Sequence, residues 1–303
     1  MSVDGRHMRL SVPNLVQYQG SKRKLAPAIL SYMPAIDGML IEPFCGMASI
    51  TLAAAQNNRA SFYWLNDVNQ DVVNVLNAAI NNPDSLASDY ERIWLEQFDY
   101  ADGHVQHYYA MRDECNAGND NPAVFLYLMA RCVKGAVRYG PNGLNQSPDK
   151  RRHGTKPSLM CSNIGTVSAL LKGRSRVSSL DYKDVLAECG VGDLVYMDPP
   201  YQGTSGTRDS RYVSGVAVDE LESELFSLDS RGIRYILSYD GVCGVKSYGR
   251  ELSSDLKCHK YLLDAGRSTQ STLLGRDDRT LEALYVSDDI VPMCPNSELP
   301  LMD

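Results

Sequence analysis

The stretch Gly192-Asp193-Leu194-Val195-Tyr196-Met197-Asp198-Pro199-Pro200-Tyr201 decides how the rest of the chain is read. A Gly-Asp turn leads into a compact apolar run, the pattern of a buried strand, and two prolines end it abruptly. Asp198 therefore stands at a strand end. Consecutive prolines cannot continue a sheet and supply no N–H, so the carbonyls of Asp198 and Pro199 stay available as acceptors. An ionised Asp198 adds only acceptors, and Tyr201 adds an aromatic face. An amino group on a flat ring suits all three. An Asp-Pro-Pro is also an ordinary strand-ending turn, so its surroundings must decide between site and turn.

Upstream, Met39 to Glu42 is a short apolar strand that runs into the tight loop Pro43-Phe44-Cys45-Gly46-Met47-Ala48-Ser49, with an Ala-rich helix expected over 50–56. Strand, small-residue loop and helix are how an open α/β sheet brings backbone close to a ligand at the carboxyl ends of its strands. A second strand is expected over 61–65. It ends in Asn66-Asp67 before a helix over 69–80. Asp67 lies 21 residues beyond Gly46, near the spacing at which an acid accepts ribose hydroxyls, so an adenosine-containing cofactor is expected. Position alone leaves Asp67 a second role, as N-cap of the following helix. A nicotinamide or flavin fingerprint would need three glycines, and this loop has only Gly46. Near the N-terminus, Tyr18-Gln19-Gly20-Ser21-Lys22 precedes a helix expected over 22–33, with Ser21 as its N-cap.

Between 83 and 178 the alternation of strands and helices stops. Helices are expected over 85–97, 104–114, 122–137 and 164–172, with a Gly, Pro and Asn-rich loop over 139–156. The alternation resumes with the Asp198 strand, a loop over 202–215, a helix over 219–229 and a strand over 233–238. Strands over 257–263 and 280–287 then form a terminal antiparallel hairpin, followed by a tail after 288. The expected fold is therefore α/β, a Rossmann-like sheet made from residues 1–82 and 179–303, interrupted by an inserted, mainly helical domain over 83–178.

Of 303 residues, 44% are hydrophobic and 22% charged, as in an ordinary globular protein. Nothing near the N-terminus resembles a signal peptide, and the longest apolar run, Ala123 to Ala130, is too short to span a bilayer, so a cytoplasmic protein without a membrane partner is expected. Eight cysteines include no Cys-x-x-Cys pair, and His104 with His107 reads as a helix face, so neither disulfides nor a metal site are expected. The net charge is −7, yet residues 131–176 hold ten Lys and Arg against the single acid Asp149. Charge is thus concentrated in the insert, where a polyanion could bind.

Taken together, these motifs resemble those of the Dam-type, or alpha-group, DNA adenine-N6 methyltransferases. Tyr18 to Lys22 is similar to that family's N-terminal cofactor motif, Glu42 to Gly46 to its motif I, Asp67 to its ribose-binding acid, and Asp198 to Tyr201 to its catalytic motif IV. They occur in the family's order, and the basic insert lies where the family carries its target-recognition domain. The resemblance implies an S-adenosylmethionine-dependent enzyme that acts on double-stranded DNA and flips the target adenine out of the duplex. It implies cofactor contacts from Tyr18, Lys22, Glu42, Pro43, Phe44, Gly46, Asp67 and Asp198, and catalysis by Asp198, Pro199, Pro200 and Tyr201. Arg138 and Asn142, in a stretch like the family's recognition region, are candidates to read bases. Lys150, Arg151, Arg152 and Lys156 are candidates to meet phosphates.

The chain departs from the family at Gly46-Met47-Ala48, where Gly-x-Gly is usual; Ala48 must adopt a negative φ or bear a left-handed one. Cytosine-N4 methylation would use the same physics, but enzymes resembling it usually carry Ser where Asp198 stands, and methylation of RNA or protein amides goes with Asn. A non-catalytic DNA binder with a decayed methyltransferase fold is the reading from a different class. Whether a restriction endonuclease accompanies the enzyme stays open.

Overall fold

Three apolar runs, each ending in a polar residue or proline, form the middle of one open sheet. In the computed structural model, which describes residues 12–200, 216–243, 246–247, 250–267 and 279–291, β1 (Met39–Glu42) lies between β2 (Phe62–Asn66) and β6 (Leu194–Met197), parallel to both. Beyond β2 the sheet adds β5 (Ser175–Ser178). Beyond β6 it adds β7 (Arg234–Cys243), β10 (Arg279–Ser287) and β9 (Cys258–Arg267), with β8 (Lys246–Ser247) paired to β7. β5 and β7 are parallel to the centre. β10 runs antiparallel to both β7 and β9, the expected terminal hairpin. Tyr201, the loop 202–215, most of the hairpin loop and the end of the tail lie outside the described residues.

Side chains alternate between two cores, because successive residues of a strand point to opposite faces. Leu40, Leu65, Tyr196 and Leu284 face α1 (Ala26–Tyr32), α2 (Ser49–Gln56) and α3 (Gln70–Asn81). Ile41, Trp64, Val195 and Tyr285 face α8 (Tyr182–Glu188) and α9 (Val218–Arg231). The chain passes from β1 outward through β2 to β5, then restarts on the other side of β1 with β6. Strand order therefore reverses between β1 and β6, where a crevice opens at the carboxyl ends.

The stretch between β2 and β5 holds α4 (Pro83–Asp99), α5 (His104–Asn116), α6 (Pro122–Arg131), a small hairpin of β3 (Tyr139–Gly140) and β4 (Gly143–Leu144), and α7 (Pro157–Leu171). α6 stops six residues before the expected 137. The Arg131 carbonyl accepts from Asp149 N at 2.7 Å, and Val133 N donates to Ser147 O at 3.3 Å, so residues 147–149 capture the backbone that would have continued the helix. α7 starts at Pro157, seven residues before the expected 164; a proline in the first turn was its signal. Its Ser168 hydroxyl donates to Ile80 O at 2.8 Å, tying it to α3.

Beside the β3–β4 hairpin, which stands where a loop was expected, and the short β8, neither β5 nor α8 was expected. β5 is an edge strand of Ser175, Arg176, Val177 and Ser178, with too little apolar alternation to announce itself. α8 is a single short helix whose N-cap Asp181 accepts from Lys183 N at 2.9 Å. Through α7 and β5 the sheet and its covering layer reach into the span 83–178. β7 also runs five residues past the expected 238. No described helix is long and apolar enough to cross a membrane.

Candidate active site

The same alternation brings four acidic residues to one edge of one face. Glu42 ends β1 two residues beyond Leu40, Asp67 follows Leu65 by two, and Asp198 follows Tyr196 by two. Glu282 stands two residues before Leu284, and because β10 runs antiparallel to β7 its beginning lies at the edge where the parallel strands end. The crevice is acidic.

Lys22 answers that row. Gly20, at φ +84°, and Ser21, whose hydroxyl accepts from Arg23 N at 3.4 Å, lead into a 3-10 turn at Lys22–Lys24. Lys22, its side chain 8% exposed, donates to Asp198 Oδ1 at 2.8 Å and lies 3.8 Å from Glu282 Oε2. Burial alone would lower the ammonium's pKa. The two carboxylates outweigh it and raise the pKa, so Lys22 is charged.

Glu42 is pushed away from charge, toward its protonated form. Its buried carboxyl accepts from Thr51 N at 3.1 Å and from the Thr51 hydroxyl at 2.5 Å. Burial, opposed by those bonds and reinforced by Asp198 and Asp67, pushes its pKa up to about 8. Asp67 accepts from Gly46 N at 2.8 Å and from Asn69 N at 2.9 Å, so one carboxylate joins the loops after β1 and β2. Burial raises its pKa while those two N–H groups oppose the rise. The N-cap of α3 is Asn69, whose side chain accepts from Asp71 N and Val72 N, and not Asp67. That leaves Asp67 at the crevice, with a further lone pair on each oxygen.

The loop after β1 is shaped for close approach. Gly46 has φ +47°, and a Cβ there would come 3.0 Å from the Tyr18 ring, so that ring lies on bare backbone. Ala48 takes the left-handed alternative, φ +56° and ψ +35°, at a cost of about 1–2 kcal/mol relative to glycine. Pro43 is buried, and its carbonyl accepts from Asn66 Nδ2 at 3.0 Å. Asn66 also donates to Leu180 O and accepts from Ser178 Oγ and Leu180 N. It is a fully used bracket between β1, β2 and β5. Phe44 packs on Tyr182, ring centroids 5.0 Å apart, on the opposite face. Pro199 is buried and Pro200 half-buried directly after Asp198. The structure thus brings Tyr18, Lys22, Glu42, Gly46, Asp67 and Asp198 to one edge, with Phe44 turned away from it.

An acidic crevice with a backbone cradle fits a cationic, hydroxyl-bearing cofactor. S-adenosylmethionine carries a sulfonium, an ammonium and ribose hydroxyls, which are the groups such acceptors take.

The ten cations of 131–176 do not make one surface. Arg131 is buried, Arg174 lies over Tyr63 and donates to Leu170 O, and Arg176 stacks on Trp64 and pairs with Glu188. Arg138, Asn142, Lys150, Arg151, Arg152 and Lys156 are all exposed, Arg152 with its side chain 82% accessible. Asn142 sits at the tip of the β3–β4 hairpin. That hairpin is anchored beside the crevice, because the Tyr139 hydroxyl lies 2.9 Å from Asp71 Oδ2 and 3.2 Å from Asn69 Oδ1. Gln19 N donates to Gly135 O at 2.9 Å, joining the Tyr18 segment to the same region.

The sequence reading missed Glu282. Its signal was a lone acid in the apolar strand Leu281-Glu282-Ala283-Leu284-Tyr285-Val286, since a charge on a strand's buried face needs a partner.

Residues 18–265 match the family described as D12 class N6 adenine-specific DNA methyltransferase. The chain is 27% identical over 283 residues to a DNA adenine methylase of Serratia marcescens, covering 89% of this chain and 97% of that one. It is 24% identical over 284 residues to a type II methyltransferase of Lactococcus lactis subsp. cremoris, covering 88% and 94%. A DNA N-6-adenine-methyltransferase of Escherichia phage P1 is 26% identical over 242 residues, which are 77% of this chain and 30% of that protein.

Proposed function

Because the chain belongs to the D12 class N6 adenine-specific DNA methyltransferases, we propose that it methylates N6 of one adenine within a specific site of double-stranded DNA, in the cytoplasm, at the edge formed by β1, β2 and β6. The observation that carries the reading is the Asp198 carboxylate, held at the crevice by Lys22 and followed by two prolines.

S-adenosylmethionine, when bound, supplies an electrophilic methyl group. Tyr18, Lys22, Glu42, Gly46, Asp67 and Asp198 would hold it, Asp67 through the ribose hydroxyls, while Pro43 and Phe44 shape the loop. Adenine N6 is a poor nucleophile because its lone pair is delocalised into the ring. Asp198 and the Pro199 carbonyl accept its two N–H groups, which draws the nitrogen toward tetrahedral geometry and localises that pair. On methyl transfer the donor would leave as its neutral thioether, and Asp198 would take the one proton that the cationic N6 gives up and pass it to water. An amino group inside a duplex cannot reach this geometry, so the base flips out, with Tyr201 as its stacking face and Pro200 fixing the turn.

The exposed residues of the inserted region form the DNA surface in this reading. Lys150, Arg151, Arg152 and Lys156 meet phosphates; Arg138 and Asn142, on the anchored hairpin, read bases. The attachment of α7 to α3 and of β5 to β2 supports placing the recognition part ahead of Pro157.

The test is Asp198→Ala. Transfer of labelled methyl groups to adenine in duplex DNA is expected to fall by about 10²–10⁴-fold while the melting transition is kept. Transfer at the wild-type rate would remove Asp198 from the chemistry.

A further inference from the structure

We propose that Glu282 is a positioning residue for methyl transfer: it holds the Lys22 ammonium so that Asp198 can turn an oxygen to the adenine amino group. The inference rests on the roles given above to Lys22 and Asp198.

The geometry is built by the sheet. Ala283 and Tyr285 face one core and Leu284 and Val286 the other, so Glu282 falls on the Lys22 side by simple alternation. Between the pairs Glu282↔Gly241 and Leu284↔Ser238 the register shifts, with three steps along β7 against two along β10. Such a bulge raises local twist and re-aims side chains, and bulges concentrate next to active sites. Here it lies in the strand adjoining β6, at the row's open end.

Lys22 lies between the two carboxylates, 2.8 Å from Asp198 Oδ1 and 3.8 Å from Glu282 Oε2. An ammonium that keeps its bond to Asp198 competes with the incoming amino group for the same acceptor. Leaving a buried ammonium unpaired is costly, so Lys22 would not let go. A second carboxylate removes the conflict. Lys22 can shift its weight to Glu282 and remain charged and buried while Asp198 accepts from N6. Glu282 touches no reacting atom in this arrangement; it acts through Lys22.

The experiment is a double-mutant cycle of Glu282→Gln and Lys22→Met, read by single-turnover transfer of labelled methyl groups from S-adenosylmethionine to cognate duplex, with KM and melting temperature measured in parallel. In the wild-type background E282Q is expected to lower the rate by about tenfold or more, with little change in either KM, and in the K22M background to cost nothing further or to restore some rate. Glu282→Asp, which keeps the charge, should retain most of the rate and serves if the glutamine variant folds poorly. Equal losses in both backgrounds, or an undiminished rate in E282Q, overturn the role of Glu282. Wild-type transfer by K22M alone is a different result, and sinks the reading of the Lys22–Asp198 site itself.

Discussion

Lys22 and Arg131 are both buried cations, and they are partnered in opposite ways. Lys22 meets two carboxylates from distant strands. Arg131, its residue 1% exposed, meets neutral oxygens, the Gln97 side chain and the His104 carbonyl, with Tyr127 under its guanidinium at 5.9 Å. Burial pulls the guanidinium's pKa down. The partners show what each cation is for. Carboxylates can exchange one donor for another, which suits a site that must admit an amino group. A main-chain carbonyl fixes shape instead. The Arg131 carbonyl holds Asp149 N, its side chain packs against Gly154 (φ +82°), and Gln97 and Tyr90 donate to the carbonyls of His153 and Thr155. The basic loop is therefore pinned by its backbone from both ends while Lys150, Arg151 and Arg152 point to solvent.

The sharpest way to break this contrast is to remove the presented charges and leave the scaffold. Changing Lys150, Arg151 and Arg152 together to Ala should weaken every duplex alike, by roughly 10²–10³-fold near 0.1 M salt, and flatten the log–log salt slope by about 0.9 for each phosphate no longer neutralised. Cofactor affinity should not move. An unchanged slope in salt-titrated binding curves would take the loop out of the DNA interface.

The next effect is on the scaffold. Arg131→Met keeps volume but takes the donor from Gln97 Oε1, and should lower stability by about 2–3 kcal/mol in denaturant titration. Lys22→Met, in contrast, is expected to cost activity more than stability. If Arg131→Met were as stable as wild type, the polar centre of the insert would not be what fixes the loop.

Much of the sheet and its edge is legible in the sequence. β1, β2 and β6 are compact apolar runs ended by polar residues or proline, and the functional side chains sit at those breaks, so Glu42, Asp67 and Asp198 follow from local pattern. The Lys22–Asp198 pair spans 176 positions, and nothing local announces it. Glu282 is hidden for a related reason, since its meaning depends on which way β10 runs beside β7. β5 escapes notice because an edge strand needs no apolar alternation. The charge cluster is legible as composition but not as surface, because Arg174 and Arg176 lie over Tyr63 and Trp64 and Arg131 is in the core.

The smallest signal tests whether the row beside Lys22 carries four negative charges or three. Glu42 has its pKa raised to about 8 in the folded protein, chiefly by burial, against about 4.3 for an unfolded glutamate. Between those values the folded state holds a proton that the unfolded chain has lost, so stability falls as pH rises through this window and levels off above it. The slope is about 1.4 kcal/mol for each pH unit. Glu42→Gln keeps an oxygen for the Thr51 N–H and hydroxyl, and an amide N–H where the protonated carboxyl had its O–H, but it does not titrate. The variant should match wild type near pH 5 and become progressively more stable by comparison toward pH 8. Denaturant titrations at half-unit steps would show it, and parallel profiles for the two proteins would mean that Glu42 is ionised, leaving Lys22 among four charged carboxylates.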